Sequence, residues 1–354
     1  MASLAGPGLA VRMRIEQADP SDTRSARMCH EVYLAALRVD EPGGPRFADR
    51  VFAGWMAVGW DGNPRELWLA RQGGPAAGWY RLELPSRENL DQAKLDLIVH
   101  PAERRHGLGR ALLRHAAGRA AANGRPVLKG AARQGSPGEA FARAAGAEPG
   151  LVDIQRVLDV ATLDRAKRAR LRGPAERAAA AYSLVSWAGP VPEEFIEQVA
   201  AIYNAMNDAP REPGAAAEEW DAQRIRERVN ALQPQYGMHD YVVAARHDDT
   251  GELAALTEVA VDPADPGWGH QVITAVTREH RGHRLGLLLK LAMMELLATT
   301  EPQLERIETS NADSNEHMIA VNDALGYAPF GAPGICWQLE VTAAGPGRTA
   351  PGES

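Results

Sequence analysis

Two stretches of this chain combine glycine, arginine and histidine just before an amphipathic helix, a combination suited to holding a phosphate. The first runs from Val99 and ends Arg104, Arg105, His106, Gly107, Leu108, Gly109, with Arg110 following. An apolar strand leads in, and a helix with Leu108, Leu112 and Ala116 on one face leads out. Unpaired N–H groups at a helix start, with the helix dipole, favour negative charge. Gly107 and Gly109 let the backbone approach the anion where a Cβ would obstruct it. The second stretch runs from Val276 and ends Arg281, Gly282, His283, Arg284, Leu285, Gly286. Its helix carries Leu285, Leu288, Leu289, Ala292, Met293 and Leu296 at helical spacing. The final glycines lie 286 − 109 = 177 residues apart, so the motif recurs at a domain-like interval. Either copy alone is a weak signal; the repetition gives it weight.

Other phosphate-binding patterns fit badly. There is no GxxxxGK[ST], which argues against a P-loop NTPase, and no GxGxxG after a first strand, which argues against a Rossmann dehydrogenase. Both loops come late in their half, after a run of strands.

The elements that position them repeat as well. In the first half, strands are expected at Arg12–Glu16, Glu66–Arg71, Gly78–Leu84, Lys94–Val99 and Val127–Ala131, with helices at Asp22–Val39, Arg110–Ala122 and Gly138–Ala145. In the second half, strands are expected at Tyr182–Trp187, Asp240–Arg246, Leu253–Val261, Gln271–Val276, Glu305–Thr309 and Ile335–Val341. Helices are expected there at Pro192–Met206, Glu218–Leu232, Gly286–Ala298 and Asn315–Leu325. The domains are therefore drawn at 12–160 and 182–342, joined by an arginine- and alanine-rich linker at 161–181, with a disordered tail at 343–354.

Composition limits the partners. A chain of 354 residues has the length of two domains, each able to bury a core. The net charge of −7 argues against nucleic acid as the main partner. Cys29 and Cys336 form no CxxC pair, so no metal or redox motif is expected. The stretch Leu285–Ala298 is too short and too charged to span a bilayer, and the N-terminus lacks a signal-peptide pattern; a cytoplasmic protein without membrane partners is expected, as monomer or homodimer. The preference for arginine over lysine suggests a high-GC bacterial genome.

Arg104 to Gly109 resembles the acetyl-CoA loop of the GNAT superfamily of N-acetyltransferases, written [RQ]-x-x-G-x-[GA]. The second loop is similar through Arg281, Gly282, His283, Leu285 and Gly286, and departs from the pattern at Arg284, where the family has glycine. Asn311 to Tyr327 resembles a further family segment, with Asn315 on the asparagine that meets the pantetheine arm. Asn322 falls where the family often has the tyrosine that protonates the leaving thiolate, and the first half has Ala142 there. The whole chain resembles bacterial tandem-GNAT proteins of mycothiol-synthase-like architecture. The resemblance implies a mixed α/β (α+β) fold of two tandem GNAT domains, each a mostly antiparallel, splayed sheet flanked by helices. It also implies acetyl-CoA as co-substrate, no metal, and an oxyanion-binding backbone N–H near Val99 or Val276.

Acyl transfer to an amine further needs a base. Glu258 is the candidate in the second half, with His270 nearby; Asp96 and Glu83 correspond in the first. The alternation of its strand favours a solvent-facing Glu258. Polar Asn322 against apolar Phe141 and Ala142 assigns the chemistry chiefly to the second half. The expected function is an acetyl-CoA-dependent N-acetyltransferase acting on a small amine by direct transfer from the thioester. The alternatives are an acyl-CoA-binding regulatory module with one or both halves inactive, and a degenerate first half that only braces the second. The acceptor pocket is expected around Asp40–Gly62 and Ala209–Met238.

Overall fold

The computed structural model describes residues 13–71, 74–212, 214–342 and 345–346. Arg12, the expected start of the first strand, and all of the 343–354 tail except residues 345–346 lie outside them. The first repeat comprises β1 (Arg14–Ala18), α1 (Thr23–Asp40), α2 (Asp49–Val58), β2 (Arg65–Arg71), β3 (Ala76–Glu83), β4 (Gln92–Val99), α3 (Leu108–Ala122), β5 (Val127–Arg133), α4 (Pro137–Ala144) and β6 (Glu148–Asp159). Helix α5 (Arg165–Ala178) connects it to the second repeat. That repeat comprises β7 (Tyr182–Ala188), α6 (Ile196–Asn204), α7 (Ala222–Arg224) running into a π-helix (Ile225–Leu232), β8 (His239–His247), β9 (Leu253–Val261) and β10 (Trp268–Val276). It closes with α8 (Leu285–Thr300), β11 (Arg306–Ala312), α9 (Glu316–Leu325), β12 (Ala328–Pro329), β13 (Gly334–Thr342) and β14 (Gly345–Pro346).

Local chemistry explains the boundaries. Asp22 caps α1 by accepting from Ser25 N–H at 2.9 Å, and Ser136 caps α4 by accepting from Glu139 N–H at 3.2 Å. Gly326 ends α9 in the left-handed region at φ +104°, which costs a glycine little. The turn between β8 and β9 closes on Gly251, whose N–H donates to His247 O at 2.8 Å.

The repeats do not form separate sheets, because each gives its last strand to the other. Strand β6 pairs antiparallel with β11 from Arg306↔Asp159 to Ala312↔Asp153. Strand β13 pairs with β5 from Gly334↔Arg133 to Glu340↔Val127, and also with β6. One sheet results, ordered β1-β2-β3-β4-β5-β13-β6-β11-β10-β9-β8-β7. Core packing follows the exchange: Leu339 and Val341 of β13 pack with Leu112 and Ala116 of α3, while Leu158 of β6 packs with Leu288 and Met293 of α8. The segment 161–181, expected as a linker, is anchored instead: fully buried Ala175 and nearly buried Ala179 of this segment join the α8 core.

Each half contains a splay. Strands β4 and β5 run parallel and pair only from Gln92↔Val127 to Lys94↔Lys129; β10 and β11 pair only from Trp268↔Arg306 to His270↔Glu308. Beyond these points the strands diverge, and the phosphate-type loops follow the diverging ends.

Candidate active site

The two loops share one backbone design. Arg104 donates through Nε to Val99 O at 3.1 Å and clamps Asp40 at 2.6 and 2.8 Å; Arg281 donates through Nε to Val276 O at 3.3 Å and reaches Asp208 at 2.7 Å. These arginines brace their loops, so they are not spare cations for a phosphate. Left-handed residues recur at matching places: Arg105 at φ +68° and Gly107 at +86°, then Gly282 at +89° and Arg284 at +56°. The departure at Arg284 is thus an exchange of order, in which glycine and arginine swap between the same two strained positions. A side chain in this region costs about 1–2 kcal/mol.

Both loops present helix starts with donors to spare. The first intrahelical bonds run from Ala111 N–H to Gly107 O and from Leu288 N–H to Arg284 O, each 3.1 Å. The N–H groups of Leu108, Gly109 and Arg110, and of Leu285, Gly286 and Leu287, precede them. Neither N-cap supplies a side-chain acceptor. Such an end fits a pyrophosphate. Exposed His106 stands beside the first set of donors, whereas His283 is held by Ala178 O at 3.2 Å. A Cβ on Gly109 would make an ordinary contact with Phe141 at 3.4 Å, so packing does not itself demand glycine there. His100 N–H donates to Ala77 O and Thr277 N–H to Ala254 O, so alternation along the strands turns the N–H groups of Val99 and Val276 into the splays.

Both splays open onto one cavity of about 830 Å³ between the repeats. Leu95, Asp96, Lys129 and Gly130 line it from the first; His270, Val272, Ile273 and Glu308 line it from the second. Phe47, Trp60, Tyr203, Trp220 and Tyr236 supply aromatic walls. The expected acceptor regions, Asp40–Gly62 and Ala209–Met238, therefore contribute to its lining. Exposed Trp60, Met206 and Val272 are large apolar side chains whose exposure is to this cavity.

An acetyltransferase (GNAT) domain profile matches residues 63–144. A solved tandem GNAT protein from the clavulanic acid biosynthesis pathway is 28% identical, with TM-score 0.78, over 94% of this chain and 99% of that one. Residues 63–144 thus carry a GNAT acetyltransferase domain, and the chain as a whole has the fold of a tandem GNAT protein. A GCN5-related N-acetyltransferase from Sphaerobacter thermophilus shares the fold at 15% identity and TM-score 0.62, over 93% of this chain and 96% of that one. A comparison with curated proteins finds no match. The GNAT fold supports acyl transfer, and the two halves are equipped for it differently.

In the second repeat, β10 carries a bulge. Its register on β9 passes from Gln271↔Val259 to Ile273↔Glu258, leaving Val272 without a partner at the cavity wall. The matching pairing of β4 with β3 is unbroken from Gly78↔Val99 to Glu83↔Lys94. Behind the bulge lies Glu258, only 3% exposed, which corrects the solvent-facing expectation: every residue of β9 is buried, so alternation carries no information there. Glu258 accepts from Tyr203 OH at 3.2 Å and from Gln233 Nε2. Burial and the nearby Asp240 carboxylate push its carboxyl up to about 7, against the hydrogen bonds from Gln233 and Tyr203. Asp240 itself is raised to about 6 by burial. Gln233 also donates to Asp240 at 3.2 Å, so one amide nitrogen bridges both carboxylates.

The other candidates are committed elsewhere. Asp96 receives two bonds from Arg81, at 2.7 and 3.0 Å, and Glu83 is held by Asn63 and Lys94. His270 lines the cavity but is held at 2.6 Å by Glu308. Asn315 caps α9 through Met318 N–H at 3.3 Å. Asn322 is fully buried, donates to Asn311 at 2.7 Å and does not line the cavity. The sequence reading missed Asp240, Gln233 and Tyr203. Their only signal was position, in a helix or at a strand start of the half that holds Glu258.

Proposed function

We propose that this protein is an acetyl-CoA-dependent N-acetyltransferase acting on a small amine by direct transfer, with the chemistry in the second repeat. The observation that carries this reading is the combination on β9 and β10: a bulge open to the cavity, with a buried, weakly acidic carboxyl behind it. The N–H groups of Leu285 to Leu287 and of Val276 would hold the cofactor, which supplies the activated acyl group. The bulge at Val272 offers backbone N–H to the developing oxyanion. Glu258, with a pKa near neutrality, lies behind Tyr203, Gln233 and Asp240 of the cavity wall and takes the amine proton through one water. Asp240 keeps that carboxylate basic and places a second acidic group beside it, which suits an incoming ammonium.

The first repeat favours a second role. Its loop has the same donors, but β4 has no bulge and Asp96 is neutralised by Arg81. It would bind acyl-CoA without turnover. Amine-dependent release of CoA from Glu258→Gln and Asp96→Asn separates the halves. The proposal expects the first variant to lose activity and the second to retain it; the reverse pattern overturns the assignment.

A further inference from the structure

Lys290 lies on α8 at 1% exposure, and nothing in the acyl-transfer scheme above uses it. Its ammonium has one hydrogen bond, from Nζ to Gln271 Oε1 at 3.0 Å, and sits 5.0 Å from the centre of the Tyr327 ring. Gln271 is the last paired residue before the β10 bulge. Its Nε2 donates across the irregularity, to Glu258 O at 2.6 Å, Ile273 O at 2.9 Å and Thr257 Oγ1 at 3.0 Å. Thr257 Oγ1 in turn donates to Ile273 O at 3.3 Å and bonds Thr274 Oγ1 at 2.8 Å. The carbonyls on both sides of the bulge are thus satisfied by one side-chain amide, and Lys290 holds that amide from behind.

The first repeat supplies a contrast. At the positions 177 residues earlier, Leu113 stands in place of Lys290 and Tyr80 in place of Thr257. Tyr80 OH bonds His115 instead, and the strand pairing there is regular. Bracket and bulge occur together in one repeat and are both missing from the other.

We propose that Lys290 is a positioning residue: acting through Gln271, it fixes the β10 bulge so that the backbone at Val272 faces the cavity. An isolated buried lysine is a poor stabiliser, and burial alone pushes its ammonium down to about 7. Its burial fits a cost accepted for local geometry. The catalytic consequence rests on the acyltransferase reading; the structural one does not.

The test uses the full chain with Lys290→Met, Gln271→Met and the double variant. Hydrogen exchange at the Val272 and Ile273 amides should rise about 10-fold or more in each, with exchange in β2 and β3 unchanged. CoA release should lose about 10- to 100-fold in kcat, with KM for acetyl-CoA within about 2-fold of the parent. The double variant should be no worse than either single one, because both break the same bracket. Unchanged exchange at Val272 and Ile273 in both single variants overturns the proposal. So does an altered KM at constant kcat. Increased exchange together with a parent protein that turns over no amine supports the bracket and sinks the acyltransferase reading.

Discussion

Replacing Glu258 by glutamine should stabilise the protein in a defined pH window while removing its base. The carboxyl is raised from 4.5 to about 7 in the fold. That difference of about 2.5 units corresponds to roughly 3 kcal/mol at 1.36 kcal/mol per unit. A carboxyl raised in this way stabilises the fold while protonated. The contribution is complete below about pH 4.5, declines as the unfolded chain ionises, and is gone above about pH 7. Glutamine cannot ionise; its one carbonyl oxygen can still accept from Gln233, while its amide nitrogen can donate to the Tyr203 hydroxyl. Urea unfolding of both proteins between pH 4.5 and 8 should therefore show a stability difference that grows with pH in favour of Glu258→Gln, approaching 3 kcal/mol above about pH 7. Amine-dependent CoA release should fall by about 100-fold or more in the same variant. A stability difference that stays flat across the window would show that Glu258 is not a raised, buried acid, and the argument for its role as base would fail with it.

The exchanged strands and the loops give further expectations. Leu158→Ala should cost about 2–5 kcal/mol, since fully buried Leu158 fills the α8 core of the opposite repeat; exchange of α8 amides should rise with it. Gly107→Val forces a β-branched residue to φ +86° at the helix start, so calorimetry should show weakened acetyl-CoA binding and the loss of one site per chain. Arg284→Gly relieves the left-handed strain at φ +56° and should leave the melting temperature equal or higher, with second-site binding retained.

The parts of the molecule visible in the sequence are those set by local chemistry. Glycine and arginine before an amphipathic helix specify the loop because left-handed backbone and spare N–H groups are local properties. The exchange of β6 and β13 is not local. Alternation of buried and more exposed residues marks β13 as a strand but not whose sheet it joins, and nothing in Glu148–Asp159 names β11 as its partner. The same limit hid Glu258, set in a β9 that is buried throughout. It hid Lys290 too, which interrupts an apolar helix face yet lies inside the core. Helix α2 fell within a stretch read as acceptor loops; it packs Val51, Phe52 and Met56 against β2 and β3.

The chemistry proposed for the shared cavity is transfer to an amine. The most direct measurement is a panel of small amines mixed with acetyl-CoA and the intact protein, following thiol release and the mass of the acceptor together. At least one amine should yield CoA and an N-acetylated product in equal amounts, at a rate that Glu258→Gln abolishes. Binding of acetyl-CoA with no amine accelerating thiol release would contradict the account.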